Sequence, residues 1–127
     1  MKNLIQKVFS EILENPEFNQ TLIEKYFAKN YIQYVDNSQL TYEEFVLHIK
    51  KLKEKVAEQK VKIINYAENG NVIYTKHIAQ STLNDGSIVI HKVLAEFTIH
   101  NDKITQCDEL TILLQGNENE KNLGSEL

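Results

Sequence analysis

The apolar positions at the start of the chain, Leu4, Ile5, Val8, Phe9, Ile12 and Leu13, fall at i, i+1, i+4, i+5, i+8 and i+9. That spacing draws one broad stripe along a helix, and Asn15-Pro16 ends it, because proline cannot continue the hydrogen-bond ladder. Thr21 and Glu24 stand at capping-box spacing ahead of Leu22, Ile23, Tyr26 and Phe27, which predicts a short second helix. Thr41 and Glu44 repeat the spacing ahead of Phe45, Ile49, Leu52 and Val56, and this predicts a third. His48 lies three residues after Phe45 and four before Leu52, on the buried side of that helix or its edge. Lys50, Lys51, Lys53, Glu54, Lys55 and Glu58 fall mainly on the other side as a solvated face. Residues 29–39 mix Asn, Asp and Ser with Tyr31, Ile32, Tyr34 and Val35. They read as a loop that turns bulky side chains inward, the kind of segment that lines a site.

After Lys60 the period changes from helical to extended. Asn69-Gly70, Asn84-Asp85-Gly86-Ser87 and Asn101-Asp102 carry residues that tolerate the positive φ of tight turns. They separate β-branched runs at 61–68, 72–83, 88–99 and 103–114, which predict four strands in an antiparallel meander. Strands this long bend through bulges rather than staying flat. The expected fold is α+β: a curved antiparallel sheet that closes as a cup over three N-terminal helices, one domain over 1–114 with a polar tail at 115–127. Within the run 88–99 the odd positions Val89, His91, Val93, Ala95, Phe97 and Ile99 are the more apolar and belong to the concave side. The even positions leave Ile88, Ile90 and Leu94 on the convex side, where a second subunit would cover them.

Composition narrows the function classes. All fourteen basic residues are Lys, against eighteen acidic ones, for a net charge of −4. Without the guanidinium fork, and with an acidic balance, nucleic-acid partners are disfavoured. No apolar run approaches the roughly 18 residues of a membrane span, and Met1 to Phe9 lacks a signal-peptide core. The expectation is a soluble, cytoplasmic protein without membrane partners. The lone Cys107 forms no intrachain disulfide and reads as a small apolar strand residue.

Several phrases carry a resemblance. They are Tyr26-Phe27 through Tyr31-Ile32-Gln33-Tyr34-Val35-Asp36, then Tyr42-Glu43-Glu44-Phe45-Val46-Leu47-His48, the strand holding His77, Asp85-Gly86, and Asp102-Lys103-Ile104 leading to Cys107-Asp108-Glu109-Leu110-Thr111. With the order of elements, they resemble the nuclear-transport-factor-2-like superfamily and, within it, the SnoaL-like proteins. The resemblance implies a cone with a deep hydrophobic pocket between sheet and helices, and a homodimer formed through the outer sheet face. It spans isomerases, dehydratases, polyketide cyclases, epoxide hydrolases and noncatalytic binding modules, so the fold does not fix the reaction.

On the last strand Cys107, Glu109, Thr111 and Leu113 share one face, and Asp108, Leu110, Ile112 and Leu114 the other. Parity favours Asp108 for the more apolar face, whereas the resemblance points to the Glu-Leu-Thr phrase of Glu109. An enclosed carboxyl has its pKa raised toward the range of a general acid or base. His77, on a face with Ile73, Thr75, Ala79 and Leu83, is its natural partner. Together they suit proton transfer between carbon and oxygen in a small apolar or aromatic carbonyl compound, with Tyr31 or Tyr34 donating to the developing enolate. The same two residues also suit a structural contact. His48 and His91 are further pocket candidates, and His100 begins a turn in solvent. No His-x-x-x-His pair, phosphate-cradling Gly-rich loop or Gly-x-Ser-x-Gly elbow occurs, so the expected chemistry uses neither metal nor cofactor. The rival expectation is a noncatalytic ligand-binding or protein-interaction module of the same fold.

Overall fold

A computed structural model describes residues 1–116, and the polar tail from residue 117 onward lies outside the described residues. Helix α1 (Lys2–Val8) runs into a π-helical turn (Phe9–Leu13), followed by α2 (Gln20–Tyr26), β1 (Phe27–Val35), β2 (Ser38–Thr41), α3 (Tyr42–Lys55), β3 (Val56–Asn69), β4 (Val72–Leu83), β5 (Ile88–His100) and β6 (Lys103–Gln115). One six-stranded curved sheet has the order β2-β1-β6-β5-β4-β3. The helices pack on its concave side.

Two expectations are corrected. Residues 29–39 are not a loop but most of β1 and the start of β2, so the helices do not all precede the sheet. The sheet is also mixed rather than wholly antiparallel, because β1 runs parallel to β6. Alternation explains the first: Tyr31, Gln33 and Val35 point inward while Ile32 and Tyr34 point outward, a strand pattern hidden by polar flanks. Gln115, expected in the tail, closes β6.

The caps divide likewise. Thr41 and Glu44 make the complete capping box that their spacing predicts, with Glu44 N donating to Thr41 Oγ1 at 3.3 Å and Thr41 N donating to Glu44 Oε1 at 3.0 Å. Thr21 caps nothing. It lies inside α2, and Asn19 holds the end by accepting from Leu22 N at 3.2 Å. Val56, counted with the third helical stripe, instead opens β3, although its N–H still closes the last helical turn onto Leu52.

The hairpins follow the turn chemistry. Asn101 and Asp102 both take positive φ, 51° and 63°, between β5 and β6. The apolar stripe of α1 and the π-turn, with Ile5, Val8, Phe9, Ile12 and Leu13 all buried, joins Ile73, Val93, Ala95 and Phe97 of the sheet in one core. Phe27, Tyr31 and Phe45 form an aromatic triangle with ring centroids 4.8 Å apart on every side. It fixes β1 beneath α3.

Thermal unfolding of two variants checks the caps. Thr41→Ala is expected to lose about 1 kcal/mol, roughly 3 to 5 °C in Tm. Thr21→Ala is expected to stay within about 0.5 kcal/mol of the parent, as surface substitutions do.

Candidate functional site

The inner face of the sheet can be read row by row from the strand register. Val35, Glu109, Ala95 and Thr75 lie side by side across β1, β6, β5 and β4. The next row holds Thr111, Val93, His77 and Ile63. Two chemically distinct groups are sealed in this wall, and each has a partner of its own.

The first group is built around Glu109, which is only 2% exposed. Its Oε1 accepts a hydrogen bond from Gln33 Nε2 at 3.3 Å, and Gln33 Oε1 in turn accepts one from the Tyr31 hydroxyl at 2.8 Å. Strand parity explains the contact, since Tyr31 and Gln33 are two residues apart on β1 and Gln33 pairs with Cys107, two before Glu109. Burial pushes the Glu109 carboxyl up to about 8, reinforced by the negative charges of Asp36 and Asp108. At neutral pH the group is therefore mostly a neutral acid. Burial likewise holds the Tyr31 phenol well above its usual range. Cys107 is buried beside them, its thiol also pushed up by burial.

The second group is His77, also 2% exposed. Its Nδ1 lies 2.9 Å from Thr75 Oγ1, and its ring packs 4.8 Å from that of Phe9. Burial pushes its pKa down to about 4, so the imidazole is neutral at pH 7. His77 and Glu109 face the same interior without meeting. Two strand spacings, roughly 10 Å, separate their columns.

The other sequence candidates spread over the fold. Tyr31 belongs to the Glu109 chain. Tyr34 points to the convex side, half-buried opposite Asp108, and does not reach the interior. Asp108 itself is exposed on that side. The parity argument that favoured it fails because the outer face of β6, with Leu110, Ile112 and Leu114 exposed, is the more apolar one. His91 is buried on the concave wall between Ala79 and Leu113. His48 is half-buried on α3, and His100 is exposed.

Three contributors escaped the sequence reading. Gln33 links Tyr31 to Glu109, Thr75 holds His77, and Asp36 secures β6 by accepting from Thr111 N at 2.9 Å and from Thr111 Oγ1 at 2.8 Å. Reading residues 29–39 as a strand would have placed Gln33 inward between Tyr31 and Val35. Among the described residues no group of three or more His, Cys, Asp or Glu is arranged to hold a metal ion. No helix among them is long and apolar enough to cross a membrane.

Among the described residues, a groove and a cleft on the surface are each large enough for a small molecule. A groove of about 640 Å³ lies on the convex side, where Tyr66, Tyr74, Leu94 and Leu110 meet Glu96 and Asp108. A cleft of about 480 Å³ separates α1 from β3. Neither is lined by Glu109 or His77.

The two buried groups give stability opposite slopes with pH. Glu109 keeps its proton in the folded state up to about 8 but loses it near 4.5 when unfolded, so its contribution falls as pH rises between those values. His77 stays neutral when folded but binds a proton below 6.5 when unfolded, so its contribution rises with pH from about 4 to 6.5. Above 6.5 only the Glu109 slope remains. Urea midpoints are expected to decline from pH 6.5 to 8 in the parent and to flatten in Glu109→Gln; an equal decline in both would remove the assignment.

No family model matches the sequence. An uncharacterized protein of Schizosaccharomyces pombe is 30% identical over 100 residues, which make up 79% of this chain and 77% of that protein. A candidate SnoaL-like polyketide cyclase from a Jannaschia species superposes with a TM-score of 0.71 at 12% identity, covering 86% of this chain and 83% of its own. An NTF2-like protein of unknown function from Cytophaga hutchinsonii superposes with a TM-score of 0.62 at 12% identity, covering 88% of this chain and 99% of its own. The chain therefore belongs to one family with the fission-yeast protein, and its fold is the one seen in SnoaL-like and nuclear-transport-factor-2-like structures.

Proposed function

We propose that this protein binds a small apolar or aromatic carbonyl compound against the inner sheet wall and moves a proton on it without a cofactor. The observation that carries the reading is the sealed Tyr31–Gln33–Glu109 chain, which keeps a carboxyl group near pKa 8 on the buried inner wall. Such a group exchanges protons readily near neutral pH, which ordinary carboxylates do not.

In this reading the ionised fraction of Glu109 takes a proton from the carbon next to the carbonyl, and the electron pair of the broken C–H bond moves onto the carbonyl oxygen. The acid so formed returns the proton to carbon or delivers it to oxygen, which gives isomerisation, dehydration or cyclisation according to the substrate. Gln33 orients the carboxyl group and Tyr31 fixes the amide. His77 suits the carbonyl end. With Thr75 donating to Nδ1, a neutral imidazole carries its proton on Nε2 and donates from there to the developing enolate oxygen. Ala95 and Val93 lie between the two groups on the wall beneath the α1 core, so a ligand that spans them takes the place of part of that packing; the Jannaschia protein, a candidate polyketide cyclase by its description, fits chemistry of this kind.

The second element of the proposal is assembly as a homodimer through the convex face. Its support is the exposed set Tyr74, Leu94, Leu110, Ile112 and Leu114 clustered on adjoining strands, more apolar surface than solitary exposed residues account for.

Two measurements test these elements. Exchange of the α-protons of 2-tetralone in D₂O, followed by NMR, is expected to be accelerated by the protein and to fall about 100-fold or more in Glu109→Gln. Unchanged exchange in that variant rejects the role of Glu109. Light scattering after gel filtration is expected to give twice the chain mass, and Leu110→Lys combined with Ile112→Lys is expected to give the monomer with its circular dichroism unaltered.

A further inference from the structure

The cleft between α1 and β3 has no part in the chemistry above, and its inner wall is unusual. It is lined by Phe9, Val61 and Ile63 on the inside and by Lys2, Gln6, Lys62 and Asn65 toward solvent. Two of its lining residues, Phe9 and Ile63, back directly onto His77. The Phe9 ring packs against the imidazole with centroids 4.8 Å apart and the planes tilted by 50°, and Ile63 is the cross-strand partner of His77. At that point the backbone departs from regularity on both sides. Phe9 opens the π-helical turn, its carbonyl accepting from Glu14 N five residues on at 2.8 Å, and β3 shifts register between Ile63 and Asn65. Wide helical turns and strand bulges both loosen the ladder locally and recur where side chains must be re-aimed.

We propose that this cleft is an outer binding site for a compact molecule with an apolar body and a polar end, and that Phe9 is the door between it and His77. The inference rests on the reading of the concave wall as a ligand site. A volume of about 480 Å³ suits one small molecule. An added peptide strand is a poor occupant. The Glu14 carboxylate already accepts from the edge N–H of Val61 at 2.9 Å, and the bulge interrupts the edge immediately beyond. The apolar body lies on Phe9, Val61 and Ile63, and the polar end stays among Lys2, Gln6, Lys62 and Asn65. Rotation of the Phe9 ring then passes the molecule inward to His77.

Diethyl pyrocarbonate, a small reagent that acylates neutral imidazole, tests this without a known ligand. His77 and His91 are equally sealed, at 2% and 1% exposure, but only His77 lies behind Phe9. Peptide mass spectrometry of the native protein at pH 7 is expected to find His77 modified about tenfold faster than His91, as a local opening near the cleft requires. Gln6→Trp, at an exposed helix position on the rim, fills the cleft and is expected to remove that difference, whereas Phe9→Ala is expected to enlarge it. Equal rates for the two histidines in the parent, or a His77 rate that Gln6→Trp leaves unchanged, overturns the proposal. The outcome is separable from the catalytic reading: a protein that exchanges no ketone α-protons but still admits the reagent to His77 through the cleft loses the first and keeps the second.

Discussion

The parallel pairing of β1 with β6 decides what the interior of this protein contains. It is the one parallel ladder in the described sheet, and it brings together two segments more than seventy residues apart in the chain. Its register sets Gln33 beside Cys107 and Val35 beside Glu109, and just beyond the last pair Asp36 clamps Thr111 through both a backbone N–H and a hydroxyl. Because side-chain direction alternates along each strand, a slip of one residue would turn Glu109 outward and Asp108 inward. The clamp thus holds not only the edge of the sheet but the identity of the acid that faces the core. It also places the charge of Asp36 close enough to contribute to the high pKa of Glu109.

The buried polar residues Gln33, Gln59, Thr75, His77, Ser81, His91 and Glu109 are all carried on strands, on the side that faces the helices. A wall intended only for packing gains little from such groups, since each polar atom taken from water without a partner costs about 1–3 kcal/mol. Here the hydrogen bonds between them soften that cost, and the state of charge softens it further: Glu109 is kept as an acid and His77 as a free base, so neither brings a full charge into the interior. A neutral acid and a neutral imidazole thus share one buried wall, and the proposed binding of an uncharged carbonyl compound rests on that arrangement. They are not a pair that neutralises itself, as a buried ion pair would.

Much of the fold was legible in the chain. The helical stripe of Leu4 to Leu13, the capping box at Thr41, and the three turns that delimit the long strands all rest on short-range chemistry, and each appears where local rules put it. What escaped depends on partners distant in sequence. Residues 29–39 carry so many polar side chains that their alternation is hidden, yet β1 is held by β6 and by the aromatic triangle rather than by its own propensity. Gln33 was invisible for the same reason, because nothing local distinguishes a buried glutamine from a solvated one. The choice between Asp108 and Glu109 turned on apolarity, and the outward residues Leu110, Ile112 and Leu114 reversed that signal. Resemblance of the Glu-Leu-Thr phrase to the SnoaL-like pattern pointed to the acid that the fold turns inward.

The central claim is that a sealed carboxyl group on the concave wall holds its proton through neutral pH. The most direct measurement is the titration of the Glu109 side-chain carbon by ¹³C NMR, with Glu109→Gln used to assign the resonance. The account predicts a single transition near pH 8, with the resonance at its protonated position at pH 6. A transition near the ordinary value of 4.5 would contradict it, because a carboxylate ionised at pH 6 is neither shielded from water nor poised to exchange a proton with a neutral ligand.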